Sequence, residues 1–133
     1  MTLLSKLDNS LEVISKDEFH NLMKEIISEE PNISDTELIK YLNILGEKFR
    51  VFYDISELNN EETIFINTTL KKLTNLSDYT RTTDLLEILF SFRVDEYYMH
   101  LTTIKDKCFL SDDVTIEILD ALDEYQKYKS NID

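Results

Sequence analysis

A chain of 133 residues is one domain by length, and folding at this size buries roughly 65–70% of the unfolded chain's surface, so no disulfide or metal is needed to hold a core. Twenty-seven Asp and Glu face fourteen Lys and Arg, for a formal charge of -13, with one Gly, one Pro, one Cys and two His. That balance excludes nucleic acid and anionic membranes as partners, because both present phosphate that an acidic surface repels, and it favours the approach of a basic protein.

Other absences narrow the chemistry. Cys108 has no second cysteine to pair with. Two His and one Cys are too few for the usual zinc sites. One glycine cannot build a phosphate-cradling loop. The acids from Asp106 to Asp113 lack the turn glycine of an EF-hand. No cofactor is expected. Hydrophobic residues make up 42% of the chain, with seven Phe and seven Tyr, which is a globule and not a disordered acidic tail. The start, Met1-Thr2-Leu3-Leu4-Ser5-Lys6-Leu7, lacks the apolar region of a secretory signal, and no apolar run approaches the roughly 20 residues that span a bilayer. The expected location is the cytoplasm.

Six segments carry helical periodicity. The first spans about residues 16–29, with Ser15 as N-cap, Glu18 completing a capping box, and Phe19, Leu22, Met23, Ile26 and Ile27 as its apolar stripe. Pro31 ends it. The second spans about 35–52, opened by Ser34 and Glu37, with Leu38, Leu42, Leu45, Phe49 and Phe52 on one face. Gly46 sits mid-segment at a cost of about 1 kcal/mol relative to Ala, so a helix approaches closely there or this one bends or stops. Residues 49–55 also alternate, which leaves helix or short hairpin open over 49–66. The third spans about 60–74, capped by Asn59 or Asn60, with Phe65, Ile66, Leu70 and Leu73 inward. The fourth spans about 83–93, capped by Thr82 or Thr83, with Leu85, Leu86, Ile88, Leu89 and Phe92 inward. The fifth spans about 95–108, where Val94, Tyr97, Leu101, Ile104 and Cys108 share a face. The sixth spans about 112–129, capped by Ser111, with Ile118, Leu119, Leu122 and Tyr125 buried. The predicted fold is all-α: a single-domain bundle over residues 1–133. Leu86–Phe92 resembles Ile116–Leu122 thirty residues on, which would also suit stacked, HEAT-like helix pairs.

No catalytic constellation emerges, and an enzyme is not expected. Asp17 with His20, and Glu96 with His100, read as helix-surface pairs; His100 and Cys108 lie two turns apart. The acids carry more information. Six carboxylates and no Lys or Arg lie between Ser111 and Tyr125. Asp113, Glu117, Asp120 and Glu124 step by four, three and four along one helix face. Such like-charged neighbours repel by a few tenths of a kcal/mol per pair, which a basic partner would relieve. Tyr97 and Tyr98 are adjacent and cannot both enter one narrow core stripe. One of the two, Tyr97 or Tyr98, together with Tyr125, is therefore the aromatic contact expected at the edge of the acidic stripe, since exposed Tyr among charges is hot-spot composition. A second acidic group comprises Asp54, Glu57, Glu61 and Glu62.

The run from Ser34-Asp35-Thr36-Glu37-Leu38 through Leu85-Leu86-Glu87-Ile88-Leu89 and Asp95-Glu96-Tyr97-Tyr98 to Ile116-Glu117-Ile118-Leu119 resembles, in style, the helical, HEAT-like immunity proteins of contact-dependent inhibition and related polymorphic toxin systems. That resemblance implies tight binding to one cognate toxin, often a basic nuclease, in the producer's cytoplasm. The other function class that fits is an acidic phage or viral adaptor docking on a host protein. Toxin identity and oligomeric state are not legible.

Overall fold

Short polar side chains start four of the helices by taking a backbone N–H that the first turn leaves without a partner. In this computed structural model, which describes residues 14–52, 57–106 and 110–132 with side chains through Lys129, six α-helices are present and no strand occurs among the described residues. The chain is all-α, as its periodicity predicts.

Helix α1, Lys16–Glu29, begins with Ser15 in an extended conformation, and Ser15 Oγ accepts from the Glu18 N–H at 3.1 Å. Its core face is Phe19, Met23 and Ile26, with Leu22 and Ile27 at the margin. A single 3-10 turn, Glu30–Asn32, holds Pro31 and ends it. Helix α2, Asp35–Arg50, repeats the device with Ser34 and the Glu37 N–H. Leu38, Leu42, Leu45 and Phe49 are buried, and the helix continues unbroken past the buried Gly46. It stops at Arg50, short of the expected residue 52, because Val51 and Phe52 form a turn. Helices α1 and α2 pack together, with the Phe19 ring 5.3 Å from Phe49 and 5.7 Å from Phe52.

Helix α3, Asn60–Leu73, opens on a reciprocal box. Asn59 Oδ1 accepts from the Glu62 N–H at 2.8 Å, and Glu62 Oε1 accepts from the Asn59 N–H at 3.0 Å. Its buried residues include Ile66, Leu70 and Leu73, and Phe65 is only half-buried. By its contacts the chain forms two compact units, residues 1–66 and 67–133, and the division falls within α3.

Helix α4, Tyr79–Phe92, starts earlier than the expected residue 83. Neither Thr82 nor Thr83 caps it. Asp78 does, accepting from the Arg81 N–H at 3.0 Å, and the two threonine hydroxyls bond back to the carbonyls of Asp78 and Thr80. Inside a helix a Ser or Thr hydroxyl can bond back to a carbonyl of the preceding turn instead of capping. Helix α5, Asp95–Ile104, has Val94 at its cap position, which offers no side-chain acceptor. The buried Asn67 supplies one from α3, its Oδ1 accepting from the Tyr97 N–H at 2.8 Å. Helix α5 closes at Ile104, so its expected continuation ends sooner, and Cys108 lies outside the described residues. Helix α6, Asp112–Ile132, packs on both α4 and α5. Val114, Ile118, Ala121, Leu122 and Tyr125 form its buried face, whereas Leu119, expected inward, is exposed because it lies one residue round the helix from Ile118.

Arg93 ends α4 in the left-handed region at φ 54°, where a side chain costs about 1–2 kcal/mol. Its guanidinium stands 4.5 Å from the centre of the Tyr128 ring, which offsets part of that strain. Arg93→Ala keeps the strain and loses the ring contact, whereas Arg93→Gly loses both. We therefore expect Arg93→Gly to be more stable than Arg93→Ala by about 1 kcal/mol in urea unfolding.

Candidate functional site: an acidic groove between two packed helices

Where α4 lies against α6, the two helices leave an open groove of about 340 Å³. Leu86 and Phe90 from α4 and Ala121 from α6 supply apolar surface. Glu87 from α4 and Glu117, Asp120 and Glu124 from α6 supply four carboxylates, and Thr83 completes the lining. No basic residue lines it. Among the described residues no Lys or Arg forms an ion pair with these four acids; Lys127 pairs with Asp123 and Lys129 with Asp95.

Helical spacing explains the geometry on α6. Residues three, four and seven apart share a face, so Glu117, Asp120 and Glu124 edge the groove over about 10 Å of helix. Of the side chains between them, Ile118 and Leu122 point to the core, Ala121 faces the groove, and Leu119 and Asp123 are exposed. Asp113, expected on the same stripe, is not among the groove-lining residues. It sits in the first turn of α6, where its carboxylate accepts from the Ser111 hydroxyl and the Val114 N–H. Those bonds hold it below the usual carboxylate range.

The tyrosines divide differently from the sequence expectation. Tyr97 is only 2% exposed and Tyr125 only 1%, which removes both from any contact surface. Tyr97 shares a hydrogen bond with the Thr74 hydroxyl at 2.7 Å, and burial pushes its phenol up to about 12. Tyr125 donates to Asp95 at 2.5 Å and stacks on Tyr98 at 4.7 Å. Burial and that carboxylate raise its pKa as well. Tyr98 is half-buried and donates to Gln126 at 2.8 Å. The tyrosine beside the acidic stripe is Tyr79, 42% exposed, whose hydroxyl donates to Glu117 at 3.1 Å. Tyr79 and Glu87 both sit on α4, so only the packing of α4 on α6 brings them to the stripe.

The first unit holds a second cluster of titratable groups. His20 Nδ1 lies 2.7 Å from Glu62 Oε2, and its Nε2 lies 3.3 Å from Glu57 Oε1. Lys16 Nζ pairs with the other Glu57 oxygen at 3.3 Å. Two of the four acids read as the second acidic group, Glu57 and Glu62, therefore belong to one ion-pair network, while Glu61 is exposed and Asp54 lies outside the described residues. The two expected surface pairs are not made: His20 turns to Glu62 and Glu57, and Glu96 pairs with Lys71 at 2.9 Å while His100 stacks on Tyr97. Among the described residues no three His, Cys, Asp or Glu side chains are placed to hold a metal ion, and no helix is long and apolar enough to cross a membrane.

No family model matches the chain, and no match is found among curated proteins or solved structures.

Proposed function

We propose that this chain binds and neutralises a basic partner protein by seating its cationic side chains in the groove between α4 and α6, as an immunity protein of a toxin system would. The observation that carries this is the combination of four carboxylates, no lining cation and an apolar surface in one concave site. Lysine and arginine have the matching build, an aliphatic stem with a charged head. The stem lies along Leu86, Phe90 and Ala121, and the head sits among Glu87, Glu117, Asp120 and Glu124. Two charged positions at the ends of the stripe, about 10 Å apart, accommodate more than one such side chain. Filling the site relieves the repulsion among the acids, so binding gains where the free protein is strained.

A basic nuclease fits this partner chemistry, since the surface that grips nucleic-acid phosphate is the surface an acidic groove would cover. The function is stoichiometric and needs no turnover. Recovery of the tagged chain from its own cells, washed first at low and then at high salt, tests it. A single basic protein should be retained in near-equal amount, should fall away as salt rises, and should lose its own activity when the two are mixed one to one. An acidic partner, or a lane with no partner, would contradict the proposal.

A further inference from the structure

The chemistry of the His20 cluster is independent of the groove. A neutral imidazole has one N–H and one lone pair, and a carboxylate can only accept. Both ring nitrogens of His20 face carboxylate oxygens. Both bonds can be made at once only by the imidazolium, with each nitrogen donating. The three groups come from different parts of the first unit: His20 from α1, Glu57 from the turn before α3, and Glu62 from the first turn of α3. Glu62 is only 2% exposed, and its other oxygen is committed to the Asn59 N–H. It cannot turn away to water when its partner changes.

We infer that His20 is a proton-operated clasp, which as an imidazolium ties α1 to both the Glu57 turn and the start of α3, and which on losing its proton lets one of the two ties go. The Glu57 tie is the one released. It is the longer of the two, and Glu57 keeps Lys16 as an alternative partner. The neutral ring retains one N–H for the short bond to the buried Glu62.

The charges acting on His20 are those of Glu62 and Glu57, and Lys16 acts on Glu57. Helix α2, packed on α1, brings the Phe49 ring against Phe19 beside His20, and the charged group it buries is Lys48. Burial disfavours the imidazolium, but the two carboxylates outweigh it and hold His20 above the ordinary 6.5. His20 and Lys16 hold Glu57 below its ordinary 4.5. The signs follow by linkage. The His20 contribution is complete below pH 6.5 and is lost as pH rises through the higher folded value. The Glu57 contribution is complete above pH 4.5 and is lost as pH falls through the lower one. The clasp is therefore closed between these limits and opens on alkalinisation.

The second histidine provides an internal reference. Burial and the nearby Lys71 hold His100 below 6.5. Proton NMR of the two imidazole rings across pH 5–9 should give two separate titrations, His20 above 6.5 and His100 below it. Glu57→Gln should move the His20 midpoint down toward 6.5 and leave that of His100 in place. His20→Gln should flatten the wild-type fall in urea midpoint between pH 6.5 and 8. A His20 midpoint at or below 6.5, or one unmoved by Glu57→Gln, would overturn the inference. Either result reads the clasp alone, whatever the groove binds.

Discussion

Exchanging Glu87, Glu117, Asp120 and Glu124 for Gln, Gln, Asn and Gln is expected to weaken the basic partner's binding by at least about a thousandfold. A hydrogen bond to a charged group contributes about 1.5–3 kcal/mol, and truncating one side of a desolvated charge pair costs about 2–5 kcal/mol. Four such positions act as one site, so their effects will not add, but about 4 kcal/mol is a modest share. The thermal midpoint should stay where it is or rise slightly, because the exchange removes like charges spaced three and four residues apart on α6. Asp112→Asn and Asp123→Asn make the comparison fair, being on the same helix and outside the groove lining. Either should change the affinity only a few-fold, mainly through the encounter rate. Titration calorimetry with the recovered partner, beside a thermal melt of each variant, measures both quantities.

Glu62→Ala is expected to destabilise the fold by about 3 kcal/mol at pH 6. The substitution takes away the acceptor for the His20 imidazolium and half of the reciprocal box at the start of α3. A charge-assisted bond contributes about 1.5–3 kcal/mol and a helix cap about 1 kcal/mol. The lost stability corresponds to roughly 10 °C in melting temperature for a protein of this size. Its neighbour Glu61 has the same type, helix and turn but is exposed. Glu61→Ala should stay within about 0.5 kcal/mol of wild type. Equal effects from the two substitutions would mean that the buried network does not hold this end of the helix.

Much of this fold is legible because its determinants are local. Ser15, Ser34 and Asn59 each act on a backbone N–H three residues ahead, a span a reader can see. The apolar stripes of α1 and α2 follow from spacing alone. The start of α4 is misread because Thr82 and Thr83 look like caps, and whether a hydroxyl reaches forward to an N–H or back to a carbonyl is not written in the pattern. The cap on α5 comes from Asn67, thirty residues away.

The site divides along the same line. Glu117, Asp120 and Glu124 are visible as one face of one helix. Glu87 and Tyr79 join them only through the packing of α4 on α6, which no spacing rule gives. Tyr97 and Tyr98 are neighbours on a helix, and the spacing that groups Tyr97 with Val94 and Leu101 already points it inward, which is where the structure buries it. The His20 clasp escapes the sequence entirely, since its partners lie 37 and 42 residues on.

The most direct measurement is a ¹H–¹⁵N NMR map of this chain as the basic partner is added. Shifts should concentrate on Thr83, Leu86, Glu87 and Phe90 of α4 and on Glu117, Asp120, Ala121 and Glu124 of α6, and should fade as salt is raised. Shifts gathered on another face, with these eight signals unmoved, would contradict the groove as the binding site.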